Sequence, residues 1–169
     1  MRNLILFYIS ALLLLASCHT TTVSPTRCSD PKKISDGDSV SIYVLPTAFT
    51  PNGDGRNDIY RLVGLHLHLD SSKLVIWDSL GLPVFNGSAK SGWDGTRTDG
   101  SKAAPGNYRV AARIVKENGT AIDVCSQVTI LVYSENGCIV GNPNDYILED
   151  QIDLYTGVAA YHSQDIFCH

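Results

Sequence analysis

Apolar and polar residues alternate with a period of two through most of the chain, the pattern of half-buried strands. In "SVSIYVLP", residues 39–46, Val40, Ile42 and Val44 share one face and Ser39, Ser41 and Tyr43 the other, and Pro46 ends the run. "DIYRLVGLHLHLD" ends with Leu65, Leu67 and Leu69 opposite His66, His68 and Asp70. "SKLVIWDSLGLPVF" reads as a hairpin turning near Ser79-Leu80-Gly81. "GNYRVAARIVKENGT" sets Tyr108, Val110, Ala112 and Ile114 against Arg109 and Arg113, and its Asn118-Gly119-Thr120 is a turn. "AIDVCSQVTILVY" sets Val124, Val128, Ile130 and Val132 against Cys125, Gln127 and Thr129, so Cys125 faces away from the core.

No window carries a long amphipathic helix. About seven short strands separated by turns predict an all-β fold, an immunoglobulin-like β-sandwich over residues 39–133 with a short C-terminal extension. The extension, residues 134–169, holds aromatic residues and two cysteines, so it is expected to pack on the domain.

The N-terminus adds an address. Arg2 precedes an apolar run from about Leu4 to Leu15, which is short of the roughly 20 residues that span a bilayer but fits the core of an export signal. The run ends in Leu15-Ala16-Ser17-Cys18, which resembles the bacterial lipobox. That resemblance implies a signal peptide over residues 1–17, lipidation of Cys18, and a tether over residues 18–38. Two or more acyl chains give stable attachment to a membrane without crossing it.

Cysteine counting agrees. The chain has five cysteines, an odd number for an exported protein. Assigning Cys18 to lipid leaves Cys28, Cys125, Cys138 and Cys168, enough for two disulfides. The strand carries the chain away from Cys125, and too few residues follow for Cys138 to return to it. Cys28–Cys125 with Cys138–Cys168 is the expected arrangement, although spacing alone does not choose among the remaining pairings. The absence of any Cys-x-x-Cys weakens zinc and thioredoxin-type readings.

Net charge is −4 for the whole chain, or −5 once Arg2 leaves with the signal, which opposes nucleic acid as a partner.

Four motifs then stand in order: "AFTPNGDGRND" (48–58), "KLVIWDSLGLPVF" (73–85), "GWDGT" (92–96) and "APGNYRVAARIV" (104–115). Together they resemble the gliding-motility-associated C-terminal domain family of Bacteroidetes, the type B sorting domain of type IX secretion. The resemblance covers about 95 residues, from near Ser39 to near Tyr133, and implies an immunoglobulin-like sandwich that serves as a sorting and docking module. Two departures stand out. The family domain usually ends a long secreted protein, whereas here it fills most of the chain behind a lipidation signal. It also usually ends the chain, whereas here the sequence runs on to His169.

Candidate sites are few. In "NGDGRND", Asn52, Gly53, Asp54, Gly55, Asn57 and Asp58 read chiefly as a reverse turn. The glycines supply positive φ, while Asn52, Asp54 and Asn57 bond to local backbone. The alternative is a calcium loop with Asn52, Asp54 and Asp58 as ligands, but Arg56, Asn57 and Val63 occupy positions where an EF-hand needs a ligand, a glycine and a glutamate. In "HLHLD", plain in/out alternation explains His66, His68 and Asp70 better than a metal site does. In "GWDGT", Trp93 is expected at the sandwich edge, Asp94 on turn amides and Gly95 at an unusual dihedral. Glu149 and Asp150 read as solvated. No metal, no cofactor and no catalytic constellation is expected: there is no G-x-S-x-G, H-E-x-x-H or Walker loop.

The expected function is therefore that of a non-enzymatic outer-membrane lipoprotein. Its sandwich would bind a protein partner in an envelope assembly linked to secretion or gliding. The alternative is a type IX sorting or surface-adhesion domain. "CHTTTVSPT" lacks the acidic residues that follow the cysteine in surface-exported lipoproteins of this phylum, which favours the periplasmic leaflet.

Overall fold

A computed structural model describes residues 42–142, 145–153 and 165–168. The signal, Cys18, Cys28 and most of the tether lie outside the described residues. The strands run in the order β1 (Ile42–Val44), β2 (Ala48–Phe49), β3 (Val63–Leu65), β4 (Lys73–Trp77), β5 (Pro83–Ser88), β6 (Gly106–Val115) and β7 (Ala121–Ile130). Five of them form one sheet in the order β2-β7-β6-β4-β5, and β1 pairs with β3 in a second, two-stranded sheet. The two sheets pack face to face as an immunoglobulin-like β-sandwich.

Its architecture follows from the hairpins. β4 and β5 turn through Asp78, whose Oδ1 accepts the amides of Leu80 (3.1 Å) and Leu82 (2.9 Å), with Gly81 at φ +81°. β6 and β7 pair in unbroken register from Gly106↔Ile130 to Val115↔Ala121. The Asn118 side chain closes their turn by accepting from the Thr120 amide and hydroxyl. β2 joins β7 in parallel at Ala48↔Thr129 and Phe49↔Ile130.

The core lies between the sheets. Leu74, Ile76, Val84, Val110, Ala112, Ile114, Val124 and Val128 come from the larger sheet and are buried. Tyr43, Leu45, Tyr60 and Leu62 cover them from the other side. At the centre Trp93 is fully buried, 5.3 Å from the Phe49 ring and 5.1 Å from Tyr108. Phe49 also meets Tyr60 at 5.9 Å. The Tyr108 hydroxyl donates to the Ala104 carbonyl at 2.7 Å, a tie of the tyrosine-corner kind.

Four expectations change. Tyr43, not Val44, points into the core: Tyr43 is buried and Val44 only partly so. β3 ends at Leu65 because His66 adopts φ +58°, so His66 and His68 do not share a continuous strand face. The leucines still turn inward there, with Leu67 and Leu69 packed on the core. The β7 alternation stops at Ile130: Leu131 is buried and Val132 is exposed, because the chain bends toward a second cluster. Trp93 sits at the centre of the sandwich, not at its edge, because Tyr60 and Trp93 exchange two backbone hydrogen bonds of 2.8 Å and draw both side chains inward.

The second cluster joins Ala48 and Leu131 to Ile139, Leu148 and Phe167, with Tyr146 against it. The extension thus has a small apolar core of its own on the end of the sandwich. Bridges Tyr133↔Ile139 and Ile139↔Phe167 align its pieces, and a Cys138–Cys168 disulfide ties them.

Replacing Trp93 with Ala should cost about 3–5 kcal/mol in urea unfolding, whereas Leu80→Ala, at an exposed turn, should stay within about 0.5 kcal/mol. Tyr60→Phe should be neutral or stabilising by up to about 1–3 kcal/mol, because the buried Tyr60 hydroxyl finds no partner among the described residues. A loss of stability in Tyr60→Phe would show that this hydroxyl is bonded.

Candidate interaction site

The "NGDGRND" loop is built around one carboxylate. Asp58 accepts the Gly53 amide on Oδ1 (2.6 Å) and the Gly55 amide on Oδ2 (2.7 Å). Asn52 Oδ1 accepts the Asp54 amide, and Asp54 Oδ1 accepts the Arg56 amide at 2.9 Å. Gly53 and Gly55 stand at φ +82° and +86°, where a Cβ would be strained. The loop's amides therefore converge on its acidic side chains, which is the geometry of a self-contained turn. Calcium would have to compete with these bonds for Asp54 and Asp58. No group of three or more His, Cys, Asp or Glu side chains able to hold a metal occurs among the described residues.

Asn57 plays a different part from the local bond expected of it. At φ +43° its backbone stays in the loop, its carbonyl accepting from the Thr50 amide at 2.9 Å. Its side chain is turned to the extension instead. The amide nitrogen donates to Asp165 Oδ2, and Oδ1 accepts the Asp150 amide at 3.1 Å. A second tie lies alongside: Arg61 Nε donates to Glu149 Oε1 at 2.6 Å. A third joins backbone to backbone, the Thr47 amide to the Ile147 carbonyl at 2.8 Å, with the Ile147 amide on Thr47 Oγ1.

Glu149 and Asp150 are consequently not a solvated pair. They line one wall of a groove of about 350 Å³ whose other wall is Gly55–Ile59 and Arg61. Burial holds the Glu149 carboxyl above its ordinary range against the opposing pull of Arg61. Burial also raises Asp165, opposed by the Asn57 hydrogen bond and Arg56 and reinforced by Asp150 and Asp54. Sequence reading missed these contacts because they join residues about a hundred positions apart. The only cue was an asparagine where a turn would accept glycine.

The "GWDGT" stretch has a packing role. For Asp94, burial pushes the carboxyl up, but the Thr96 amide (2.8 Å), the Thr96 hydroxyl and Lys102 outweigh it and hold it below the ordinary range. Gly95, at φ +75°, lies against Pro51; a Cβ there would come within 2.9 Å of the proline ring. The two motifs therefore interlock, and Trp93 Nε1 closes the join by donating to the Thr96 carbonyl at 2.8 Å.

Of the other candidates, His66 meets Glu117 at 3.0 Å at the surface, and His68 is exposed. Cys138 and Cys168 are bonded to each other. Cys125 is also disulfide-bonded, to a partner outside the described residues, where Cys28 and Cys18 both lie.

The geometry thus offers a sandwich with a docked extension. Comparison supplies the rest. The family model of the CHU_C type IX secretion signal domain matches residues 43–128, just over half of the chain. The chain belongs to this family. Membership links the protein to type IX secretion and to the cell envelope or surface. All four motifs fall in the matched span, while the extension lies outside it. No curated protein matches the chain. Among solved structures, CopC from Methylosinus trichosporium OB3b is similar, at 19% identity and a TM-score of 0.36, the match covering 54% of this chain and 93% of CopC.

Asn57→Gly keeps the positive φ but removes the bridge to the extension. It should weaken extension docking by about 1–3 kcal/mol, read as faster amide exchange at Asp150 and Ile147 with the core amides unchanged. Acid should act in two stages of opposite sign. Asp165 has a raised carboxyl, so its unfavourable charge is relieved as pH falls through that raised value, and extension amides should slow. Asp78 is held low by the Arg97 side chain and the Leu82 and Leu80 amides, so its contribution is present above the ordinary carboxylate value and lost below it. Asp78→Asn should flatten this second stage in an acid titration followed by circular dichroism.

Proposed function

We propose that the protein is a non-enzymatic, lipid-anchored outer-membrane protein of the periplasmic leaflet. Its sandwich serves as an interaction module in an envelope assembly linked to secretion or gliding. The observation that carries this reading is the pairing of "LASC" behind a short apolar run with a type IX secretion signal domain that matches just over half of the chain. The structure supports it in two ways. The motif residues are committed to turns and packing: Trp93, Gly95 and Asp58 each hold the fold together. Of residues 134–169, which lie outside the matched span, the described Glu149, Asp150 and Asp165 are bonded by Asn57 and Arg61.

The extension also presents the more distinctive surface. Val132, Val140 and Ile166 are 50%, 53% and 67% exposed and adjoin through backbone bonds of the aligned segments. No Lys or Arg follows Lys116, whereas Glu135, Asp145, Glu149, Asp150, Asp153 and Asp165 are all acidic. An apolar strip on a stretch of chain without Lys or Arg suits a protein partner better than an anionic lipid surface.

Capture of the tagged full-length protein from native membranes in mild detergent should bring down an outer-membrane protein in stoichiometric amount. Val140→Asp with Ile166→Asp leaves the buried cluster intact and should abolish that capture. Undiminished capture by the double variant would remove the strip as the contact.

The second reading is a sorting or adhesion domain proper, favoured by the family match itself. It requires that residues 39–169, fused to a reporter behind an ordinary export signal, carry the reporter across the outer membrane. A reporter that stays in the periplasm would exclude it.

A further inference from the structure

Two exposed apolar groups stand at one end of the sandwich. Trp77, at the end of β4, lies opposite Arg109 near the start of β6, and Gly106 of β6 lies opposite Ile130 at the end of β7. The β4–β5 turn and the chain leaving β7 for the extension therefore emerge at the same end. They occupy opposite flanks of it, because β5 is one edge of the sheet while β2 and β7 form the other. Three strand spacings, about 14 Å, separate β5 from β7.

The first group is the β4–β5 turn, where Leu80 and Leu82 are 83% and 56% exposed. Asp78 holds the turn from beneath: its Oδ1 accepts both leucine amides, and Arg97 Nη2 donates to its Oδ2 at 2.9 Å. Leucines presented on a fixed frame are buried in a contact at a lower ordering cost. A positive charge stands beside them, since a Cβ on Gly81 would lie 3.2 Å from Arg109 Nη2. The second group is the strip of Val132, Val140 and Ile166. Ile139 and Phe167 are buried in the second cluster, so their neighbours Val140 and Ile166 face outward. The Val140 amide donates to the Val132 carbonyl, and the turn that joins these two segments carries the exposed Glu135. Among the described residues neither Arg109 nor Glu135 forms an ion pair.

One flank thus offers apolar side chains with a base, and the other apolar side chains with an acid. An anionic bilayer would suit the turn but not the strip, which has Glu135 beside it and no Lys or Arg in the extension. The same end of a second copy satisfies both. We propose that two copies of the chain dock end to end about a two-fold axis. The Leu80–Leu82 turn of each sits on the Val132, Val140 and Ile166 strip of the other, with Arg109 against Glu135 across the contact. Such a contact is made twice and closes on itself, so it yields a dimer and not a filament. This names the occupant of the strip that the previous section reads as a protein contact, and it rests on that reading for the strip's availability.

Charge reversal tests the pairing in the full-length protein. Two copies with different tags are co-expressed, one tag is captured from membranes in mild detergent, and the other tag is measured in the captured material. Wild-type copies should co-purify. Arg109→Glu in both copies, or Glu135→Arg in both, should cut co-capture by about tenfold or more, because like charges then meet at both contacts. Arg109→Glu in one copy with Glu135→Arg in the other should restore it, since the two-fold arrangement makes both contacts attractive again. Leu80→Asp with Leu82→Asp should abolish co-capture at an unchanged urea midpoint. Wild-type copies that never co-purify, single reversals that co-purify as wild type, or mixed reversals that stay apart would overturn the dimer. If the dimer fails while Val140→Asp with Ile166→Asp still loses an outer-membrane protein, the dimer is excluded and the assembly contact stands. Co-capture rescued by the mixed reversals, with no other protein captured, would sustain the dimer and remove the other partner.

Discussion

The structure depends on the reciprocal pairing of Tyr60 with Trp93. Two short backbone hydrogen bonds join segments 33 residues apart, one following the "NGDGRND" loop and one opening "GWDGT". The pairing directs both aromatic rings inward, where Phe49 and Tyr108 complete the cluster. Aromatic pairs of this geometry contribute about 0.5–1.5 kcal/mol each beyond the area they bury. The loops on either side are then fixed by contact. Gly95 can only be glycine because Pro51 occupies the space of a side chain. Gly92 is held by the Tyr60 carbonyl, which would lie 2.5 Å from a Cβ. Three of the four sequence motifs thus meet at one place, and their composition answers to packing.

This has a consequence for function. Residues that look like candidate ligands, Asp54, Asp58 and Asp94, are acceptors for the amides of their own turns. What the family loop offers outward is Asn57, and this chain uses it to seat the extension. The end of the sandwich near Ala48 and Leu131 is then capped by Ile139, Leu148 and Phe167. The surface available to a partner there belongs to the extension, outside the span that the family shares.

Much of this was legible in the sequence. The β4–β5 and β6–β7 hairpins follow from period-two alternation and their turn residues, and the exposed and buried sides of β6 match at Tyr108, Val110, Ala112 and Ile114. Legibility failed where backbone geometry overrides period. His66 in the left-handed region ends β3 although the leucine alternation runs on. After Ile130 the bend toward the second cluster reverses the roles of Leu131 and Val132. Trp93 was misplaced because its position is set by pairing with Tyr60, a long-range contact with no local signal. The groove between Arg61 and Glu149 was invisible for the same reason.

The central claim is that the Tyr60–Trp93 pairing holds the sandwich, with the extension as a separately docked cap. Native-state hydrogen exchange by NMR measures it directly. The account predicts that the Tyr60 and Trp93 amides exchange only through global unfolding, with the full denaturant dependence of the domain. The amides of Ile139 and Cys168 should open at a lower free energy, with a smaller denaturant dependence. Tyr60 and Trp93 amides that exchange through local opening, while the β6–β7 core stays protected, would contradict it.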